Sequence, residues 1–525
     1  MSTDLSSTPP GSPGAPASDK LDRHVLVIAG VVVLGAIMSI LDITVVSVAL
    51  ETFQREFDAT TAQVAWTMTA YTLALASVIP LTGWASDRFG TKRLYLIAIV
   101  LFSAGSALCA AATSLEMLVA FRVVQGLGGG MLVPLGMTIL TRAAGPERLG
   151  RVMAVMGVPM LLGPIFGPIL GGALIDNASW HWIFLINVPI GVATIVYAAI
   201  VLPKDDVEPS ETFDWLGMVL LSPGLAAFLY GVSTIPETGT ILDAEVLVPA
   251  IIGLLLIAAF VPWALSRRNA HPLVDLRLFQ NFTLTIAVIA MALFAMAFFG
   301  ASLLFPLYFQ QVRGEGALDA GLLLAPQGLG AMLVMPLAGV LTDRIGPGKI
   351  VLVGVAVITV GMGMFATLDA ETSYYFLTGA LFVMGLGMGA TMMPIMTAAL
   401  QTLRGHTVAR GSTLLNIVQQ VAASIGTAIF SVLLTNGVKN EADPTALALG
   451  EIEDESQLRA FLEQTGIPAE QLPTILRDLT DDLAGVFSGT FWIAAAMVAV
   501  VLVPAFFLPR KPPAEPVDQT ALMGH

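Results

Sequence analysis

Gly83-Trp84-Ala85-Ser86-Asp87-Arg88-Phe89-Gly90 and Gly339-Val340-Leu341-Thr342-Asp343-Arg344-Ile345-Gly346 share one pattern, Gly-x-x-x-Asp-Arg-x-Gly, displaced by 256 positions. A basic residue follows each copy, Lys92 in the first and Lys349 in the second. Each copy lies between two long apolar runs. Gly83 and Gly339 permit close approach of helices, and Gly90 and Gly346 permit a tight turn between them. The two copies therefore predict an internal repeat, and the apolar runs around them set the solvent.

A stretch of about 20 mostly apolar residues is long enough to cross a bilayer. Such stretches fall near 25–50, 63–84, 93–112, 115–140, 150–175 and 180–202. Two follow at 214–233 and 246–266, and six more at 283–310, 319–341, 348–368, 373–400, 410–436 and 486–508. These are helices 1 to 14 below. The chain is 56% hydrophobic and 12% charged, against about 25% charged in soluble domains. The first twenty or so residues are rich in Ser, Pro, Gly and Ala, as in a disordered tail. The apolar run from Val25 lacks the short core and small-residue cleavage site of a signal peptide, so it is read as helix 1.

Charge supports the count. With the N-terminus inside, 18 of the 24 Lys and Arg fall on the cytoplasmic side and five outside. That is the bias the positive-inside rule requires. Both termini are then cytoplasmic, in the cell membrane. Of the 38 acids, 23 fall outside, many of them in the loop 437–485. The net charge of −14 is thus mostly extracytoplasmic, and the loop is read as a solvated excursion.

Two residues stand apart. Asp42 is the only acid in the interior of an expected span, away from its ends, and Arg122 the only base. An ionised carboxylate alone at such depth costs roughly 2.5–3.5 kcal/mol on insertion scales. Asp42 lies about 12 Å from the outer end of helix 1 and Arg122 about 10 Å from that of helix 4. Similar depth predicts coupling, directly or through Gln125 or water. Burial favours the neutral acid and a nearby cation the carboxylate. Small rearrangements can therefore load and unload a proton.

A second partial repeat pairs Gly126, Gly128 and Gly130 of helix 4 with Gly385, Gly387 and Gly389 of helix 12. Leu381 stands where helix 4 has Arg122, so the repeat itself does not require the arginine. For a substrate cavity the apolar and aromatic candidates are Trp66, Tyr71, Met291, Phe294, Met296 and Phe298. Polar candidates are Gln63, Thr69, Gln125, Asn187, Gln327, Asn416, Gln419 and Gln420.

Enzymatic chemistry finds no support. The histidines have no ligand spacing. Gly346-Pro347-Gly348-Lys349 runs into Ile350 rather than Ser or Thr, so there is no phosphate-binding loop. Cys109 is the single cysteine, which excludes an intramolecular disulfide. No metal, cofactor or nucleic-acid partner is expected.

The chain resembles the major facilitator superfamily, specifically its fourteen-helix drug:proton antiporters of the EmrB/QacA type. Leu41-Asp42-Ile43-Thr44 with Val48-Ala49-Leu50 is similar to the family's helix 1 motif, with Ser47 and Glu51 replacing the usual Asn and Pro. Gly83 to Arg93 and Arg122-x-x-Gln125-Gly126 match two further motifs. Gly163-Pro164, Gly167-Pro168 and Gly171-Gly172 resemble the antiporter motif of helix 5. Trp180-His181-Trp182-Ile183-Phe184 and Asn187-Val188-Pro189-Ile190-Gly191 are also typical, with His181 for the usual Arg.

The resemblance implies an all-α membrane fold of two six-helix bundles, at 25–202 and 283–508, with two inserted helices in 203–282. Tails at 1–24 and 509–525 flank them. It implies alternating access driven by the proton gradient, a small amphipathic substrate, contact with membrane lipid, and a monomer. Asp42 and Arg122 would carry proton coupling. Gly83, Asp87, Arg88, Gly90, Gly339, Asp343, Arg344 and Gly346 would serve conformational change, as would the helix 5 glycines and prolines. Export of amphipathic, often cationic, drugs leads. Export of a native lipid, siderophore or metabolite is the alternative, and a non-transporting sensor or lipid-organising protein lies in another class.

Overall fold

The computed structural model describes residues 22–145, 148–205, 212–238, 240–403, 407–443, 445–446, 449, 461–462, 465 and 467–511. Most of both expected tails lies outside this set, as do Arg404, His406 and the acidic stretch Glu451–Glu455. Among the described residues the regular structure is helical throughout.

Among the described residues, thirteen helices are long and apolar enough to cross a membrane, by length and composition. Helix 1 is Arg23–Val48, helix 2 Thr61–Phe89, helix 3 Thr91–Ala110 and helix 4 Leu115–Ala144. Helix 6 spans His181–Val201, helix 7 Trp215–Ser233, helix 8 Ala244–Leu265 and helix 9 Phe282–Gln311. Helix 10 is Ala317–Ile345 and helix 11 Pro347–Phe365. Helix 12 spans Tyr374–Leu400, helix 13 Thr407–Glu441 and helix 14 Leu472–Phe506. Helix 5, Leu149–Asn177, is a further 29-residue helix in the expected place and brings the long helices to fourteen. The protein is a multi-pass membrane protein.

Local chemistry sets several boundaries. Thr60 and Gln63 form a reciprocal capping box at the start of helix 2, which satisfies orphan N–H groups. Gln63, a cavity candidate, is thereby occupied in a cap. Gly90 and Gly346 adopt nearly the same backbone, φ 94° ψ 142° and φ 88° ψ 148°. These positive-φ turns are the repeat seen in the sequence, realised in three dimensions.

Some spans run longer than expected. Helices 2 and 10 continue through Asp87 and Asp343, which are held by partners described below and need not reach water. Asp42 is therefore not the only carboxylate within a long helix. Helix 14 starts at Leu472 rather than near 486. Its added turns bury Leu479 and Leu483 while Asp478, Asp481 and Asp482 face outward, an amphipathic pattern.

The repeat extends to packing. A Cβ on Gly126 would lie 2.5 Å from the Tyr71 carbonyl oxygen of helix 2, and one on Gly385 2.0 Å from that of Gln327 in helix 10. Gly128 packs on Phe102 of helix 3, and Gly387 on Gly354 and Ile358 of helix 11. Helices 2, 3 and 4 thus correspond to helices 10, 11 and 12.

The halves meet crosswise. Helix 2 lies against helix 13, with the Thr82 and Thr413 hydroxyls 2.9 Å apart. Helix 10 lies against helix 5, where a Cβ on Gly339 would be 2.8 Å from the Gly150 carbonyl oxygen. Helices 7 and 8 pack on each other, and helix 7 also touches helices 2 and 13. Buried Asp214 fixes this pair. It accepts from the Gly217 N–H at 2.8 Å, Trp263 Nε1 at 2.7 Å, Asn269 Nδ2 at 2.9 Å and the Leu273 N–H at 3.1 Å.

Candidate functional site

Helices 1, 2, 3, 4 and 6 converge on one buried carboxylate. Asp42 and Arg122 are 2% and 1% exposed, so their charges must be met by protein. Arg122 donates through NH1 to Asp42 Oδ2 in a close ion pair. The same nitrogen donates to Gln125 Oε1 at 2.7 Å, and Arg122 Nε to the Thr67 carbonyl at 2.9 Å. The other Asp42 oxygen accepts from Gln125 Nε2 at 2.6 Å and Asn187 Nδ2 at 3.3 Å. Ser106 Oγ accepts from both amides, at 2.6 and 3.3 Å. The Arg122 guanidinium also lies 4.1 Å from the centre of the Tyr71 ring, a cation–π contact.

This constellation explains how a charge survives at depth. Arg122 supplies opposite charge, and two amides supply dipoles whose alternative partner, Ser106, is already in place. Protonating Asp42 would remove the partner of a buried guanidinium and release the amides.

A cavity of about 130 Å³ opens one turn away, between helices 1, 2, 4 and 13. Ser39, Ile40, Gly129 and Pro134 line one side, and Asn416, Gln419 and Gln420 the other. Asp42 is not in this lining. The link is short: Tyr71, whose ring carries Arg122, exchanges a hydrogen bond with Ser39 at 3.0 Å.

The other cavity candidates lie elsewhere. Gln125, Asn187 and Tyr71 belong to the Asp42 constellation. Trp66 is half-exposed and stacks on Tyr230 of helix 7 at 5.6 Å. The Thr69 hydroxyl donates to the Ala65 carbonyl of its own helix. Met291, Phe294 and Phe298 are buried in the main hydrophobic core, the two phenyl rings stacked at 5.2 Å. Met296 approaches helix 13 at Gly426, and Gln327 touches helix 12 at Gly385.

At the end carrying the repeated turns, the two aspartates have different partners. Asp87 Oδ1 lies 3.3 Å from Arg142 NH2, and its Oδ2 lies 3.8 Å from Arg410 Nε of helix 13. Arg410 NH1 is in turn 3.8 Å from Asp275, in the segment between helices 8 and 9. Asp343 instead accepts from the N–H groups of Gly150 and Arg151, at 2.8 and 3.3 Å, at the start of helix 5. Arg151 Nε is 3.2 Å away. Arg88 and Arg344 are half-exposed or exposed at this end. In helix 5, Gly163, Gly167 and Gly171 face Ile40, Thr44 and Val45 of helix 1, while Gly172 has open space. The side chains of Pro164 and Pro168 lie outside the described set.

Sequence reasoning missed Asp205, Asp214, Asp275 and the basic partners of the two turns. These residues sit near span ends, where charge is expected anyway. Only their three-dimensional partners distinguish them. Among the described residues no three His, Cys, Asp or Glu are grouped to hold a metal.

The family model described as Major Facilitator Superfamily matches residues 32–427. The chain belongs to this superfamily. It is 50% identical over 497 residues to the Multidrug resistance protein B homolog of Mycobacterium tuberculosis, covering 94% of this chain and 92% of that one. It is 29% identical over 492 residues to the Multidrug export protein EmrB of Escherichia coli, covering 91% and 94%. The fold is similar to that of the human organic anion transporter MFSD10, with a TM-score of 0.60 at 15% identity over 90% of this chain and 99% of that one. The structure of the proton:xylose symporter XylE gives 0.57 at 14% identity over 93% and 98%. This major facilitator protein is related to multidrug-resistance and multidrug-export proteins.

Proposed function

We propose that this transporter exports amphipathic, often cationic, drugs or toxic compounds in exchange for protons, by alternating access. The observation that carries the reading is the buried Asp42–Arg122 pair, set within one hydrogen-bonded step of the cavity between the halves. The names of the relatives, which are multidrug-resistance and multidrug-export proteins, support the substrate class.

In this reading residues 25–202 and 283–508 are the two moving bundles, and 203–282 is an insertion. The protein lies in the cell membrane with both termini cytoplasmic, so the repeated turns face the cytoplasm. The excess of Lys and Arg at that end supports the orientation.

A proton arriving from outside neutralises Asp42. Arg122 then loses its anionic partner and shifts its hydrogen bonds, moving Tyr71 and with it Ser39 at the cavity wall. Substrate is released as the wall changes. Loss of the proton to the cytoplasm restores the pair and the binding shape of the cavity. Proton and substrate thus compete through Tyr71 and Ser39 rather than by direct contact at Asp42. Asp87–Arg410 and Asp343 with the start of helix 5 hold the cytoplasmic end together while the other end is accessible.

The test is transport in proteoliposomes under an imposed pH gradient, screened over cationic dyes and native lipids. Substrate should provoke proton movement in the opposite direction, and Asp42→Asn should abolish it. If Asp42→Asn still exports substrate against a gradient while consuming the pH gradient, the reading fails. Proton-coupled flux of native lipids alone would reassign the substrate and leave the mechanism standing.

A further inference from the structure

A second cavity, of about 320 Å³, lies apart from the Asp42 site, at the end that carries the repeated turns. It is within the size range of ligand pockets, about 300–1,000 Å³. Four helix ends frame it: the start of helix 1, the start of helix 3, and the ends of helices 4 and 6. The polar lining is basic, with His24, Lys92, Arg142 and Lys204 against one acid, Asp205.

The acid is already committed. Its oxygens accept the backbone N–H groups of Lys92 at 2.7 Å and Arg93 at 3.1 Å. Asp205 therefore caps helix 3 and holds the chain after helix 6 against it. The Lys92 ammonium donates to the carbonyls of Ala199 and Leu202, both at 2.7 Å. Two of its three hydrogens are fixed, and the third remains. Lys204 is exposed and has no hydrogen-bond or ion-pair partner among the described residues. Arg142 is shared with Thr91 and Asp87.

The rest of the lining is apolar, including Ile28, Ile139 and Leu202. Beside it the outer face of helix 6 is apolar and open, with Ile200 77% and Val196 54% exposed. Leu26 continues that surface on helix 1. A charged pocket at a span end, joined to an apolar membrane face, matches an amphiphile with an anionic head and hydrocarbon tails. Basic pockets between membrane helices bind anionic lipid heads on the same grounds.

We propose that this cavity holds the phosphate headgroup of an anionic phospholipid, with Lys92 and Lys204 on the phosphate and the acyl chains against helices 1 and 6. The bound lipid ties helix 3, which begins directly after the first repeated turn, to the end of helix 6.

The test uses the purified full chain in detergent, with native mass spectrometry of retained phosphatidylglycerol against phosphatidylcholine. Phosphatidylglycerol should be retained selectively. Lys204→Gln and Lys92→Gln should each reduce its affinity about fivefold, the effect of roughly one surface charge near an anionic headgroup. Phosphatidylcholine binding should not change. Lys204 is exposed, so its variant should unfold at the wild-type temperature and report on binding alone. Equal retention of both lipids, or unchanged phosphatidylglycerol binding in both variants, overturns the proposal. Complete displacement of phosphatidylglycerol by inorganic phosphate overturns the lipid assignment and leaves a free-anion site.

Discussion

The first half and the second half of this protein share a turn, a set of helix contacts and a glycine ladder, yet they differ where charge is concerned. Helix 4 carries Arg122 and helix 12 carries Leu381, both fully buried. Tyr71, which stacks on the arginine, corresponds to Gln327, displaced like the turns by 256 positions. At the turns, Asp87 meets guanidinium groups of two other helices, whereas Asp343 meets the start of helix 5. The lesson is that the repeat specifies shape, and a charged pair at mid-helix depth has been placed on one copy only. The second copy keeps the same close packing with an apolar residue.

The comparison breaks most visibly at Arg122. Arg122→Leu, which copies the second half, leaves Asp42 buried without its cation. Breaking a buried pair costs about 3–5 kcal/mol, so a sharp fall in unfolding temperature and loss of proton-coupled flux are expected. Adding Asp42→Leu should restore most of the stability, measured by thermal unfolding, while coupling stays absent. Recovery of substrate-driven proton movement in the double variant would show that the charged pair is only structural.

The next effect is at the turns. Gly90→Ala and Gly346→Ala both force an alanine to φ near 90°, at about 1–3 kcal/mol each. The added methyl also meets Asp205 at 2.2 Å in the first turn and the Arg510 carbonyl carbon at 2.6 Å in the second. Both variants should lose thermal stability to a similar extent, since both halves need the same backbone. A large difference would show that the two turns are not equivalent.

Asp87→Asn and Asp343→Asn sharpen the contrast in charge. An asparagine at 343 loses attraction to Arg151 but can still accept an N–H from the start of helix 5, whereas one at 87 loses attraction to both Arg142 and Arg410. Charge-assisted hydrogen bonds contribute about 1.5–3 kcal/mol, so transport should fall more for Asp87→Asn, by roughly tenfold or more. Equal effects on initial export rates would argue against distinct roles. The smallest effect should be Asp275→Asn, which weakens a 3.8 Å contact to Arg410. Because that contact is longer than the Asp87–Arg142 pair, a smaller effect than at Asp87 is expected, measured as a modest shift in export rate.

Much of the fold was legible because lipid imposes length. A bilayer demands about 20 apolar residues per crossing, and that requirement writes itself into composition. Asp42 and Arg122 were legible for the related reason that charge is rare at depth. Their network was legible only in part, through Gln125. Asn187 reads like any polar residue near a span end, and only packing of helix 6 against helix 1 brings it to Asp42. Met291, Phe294 and Phe298 read as cavity residues and are core, since apolar periodicity cannot tell a void from a packed neighbour. The extensions of helices 2 and 10 were missed because Asp87 and Asp343 look like loop residues until their partners are seen.

Asp205 and Asp275 give the segment between the halves a meaning beyond its two helices. Asp205 caps helix 3, and Asp275 lies beside the same guanidinium as Asp87. The segment is therefore stitched at both ends into working parts of the protein. It cannot be excised as a module. Cutting out 203–282 would uncap helix 3, take a carboxylate from Arg410 and uncover the side of helix 2 that helix 7 covers. A chain shortened by 203–282 would have to replace each of those contacts before the deletion could be tolerated.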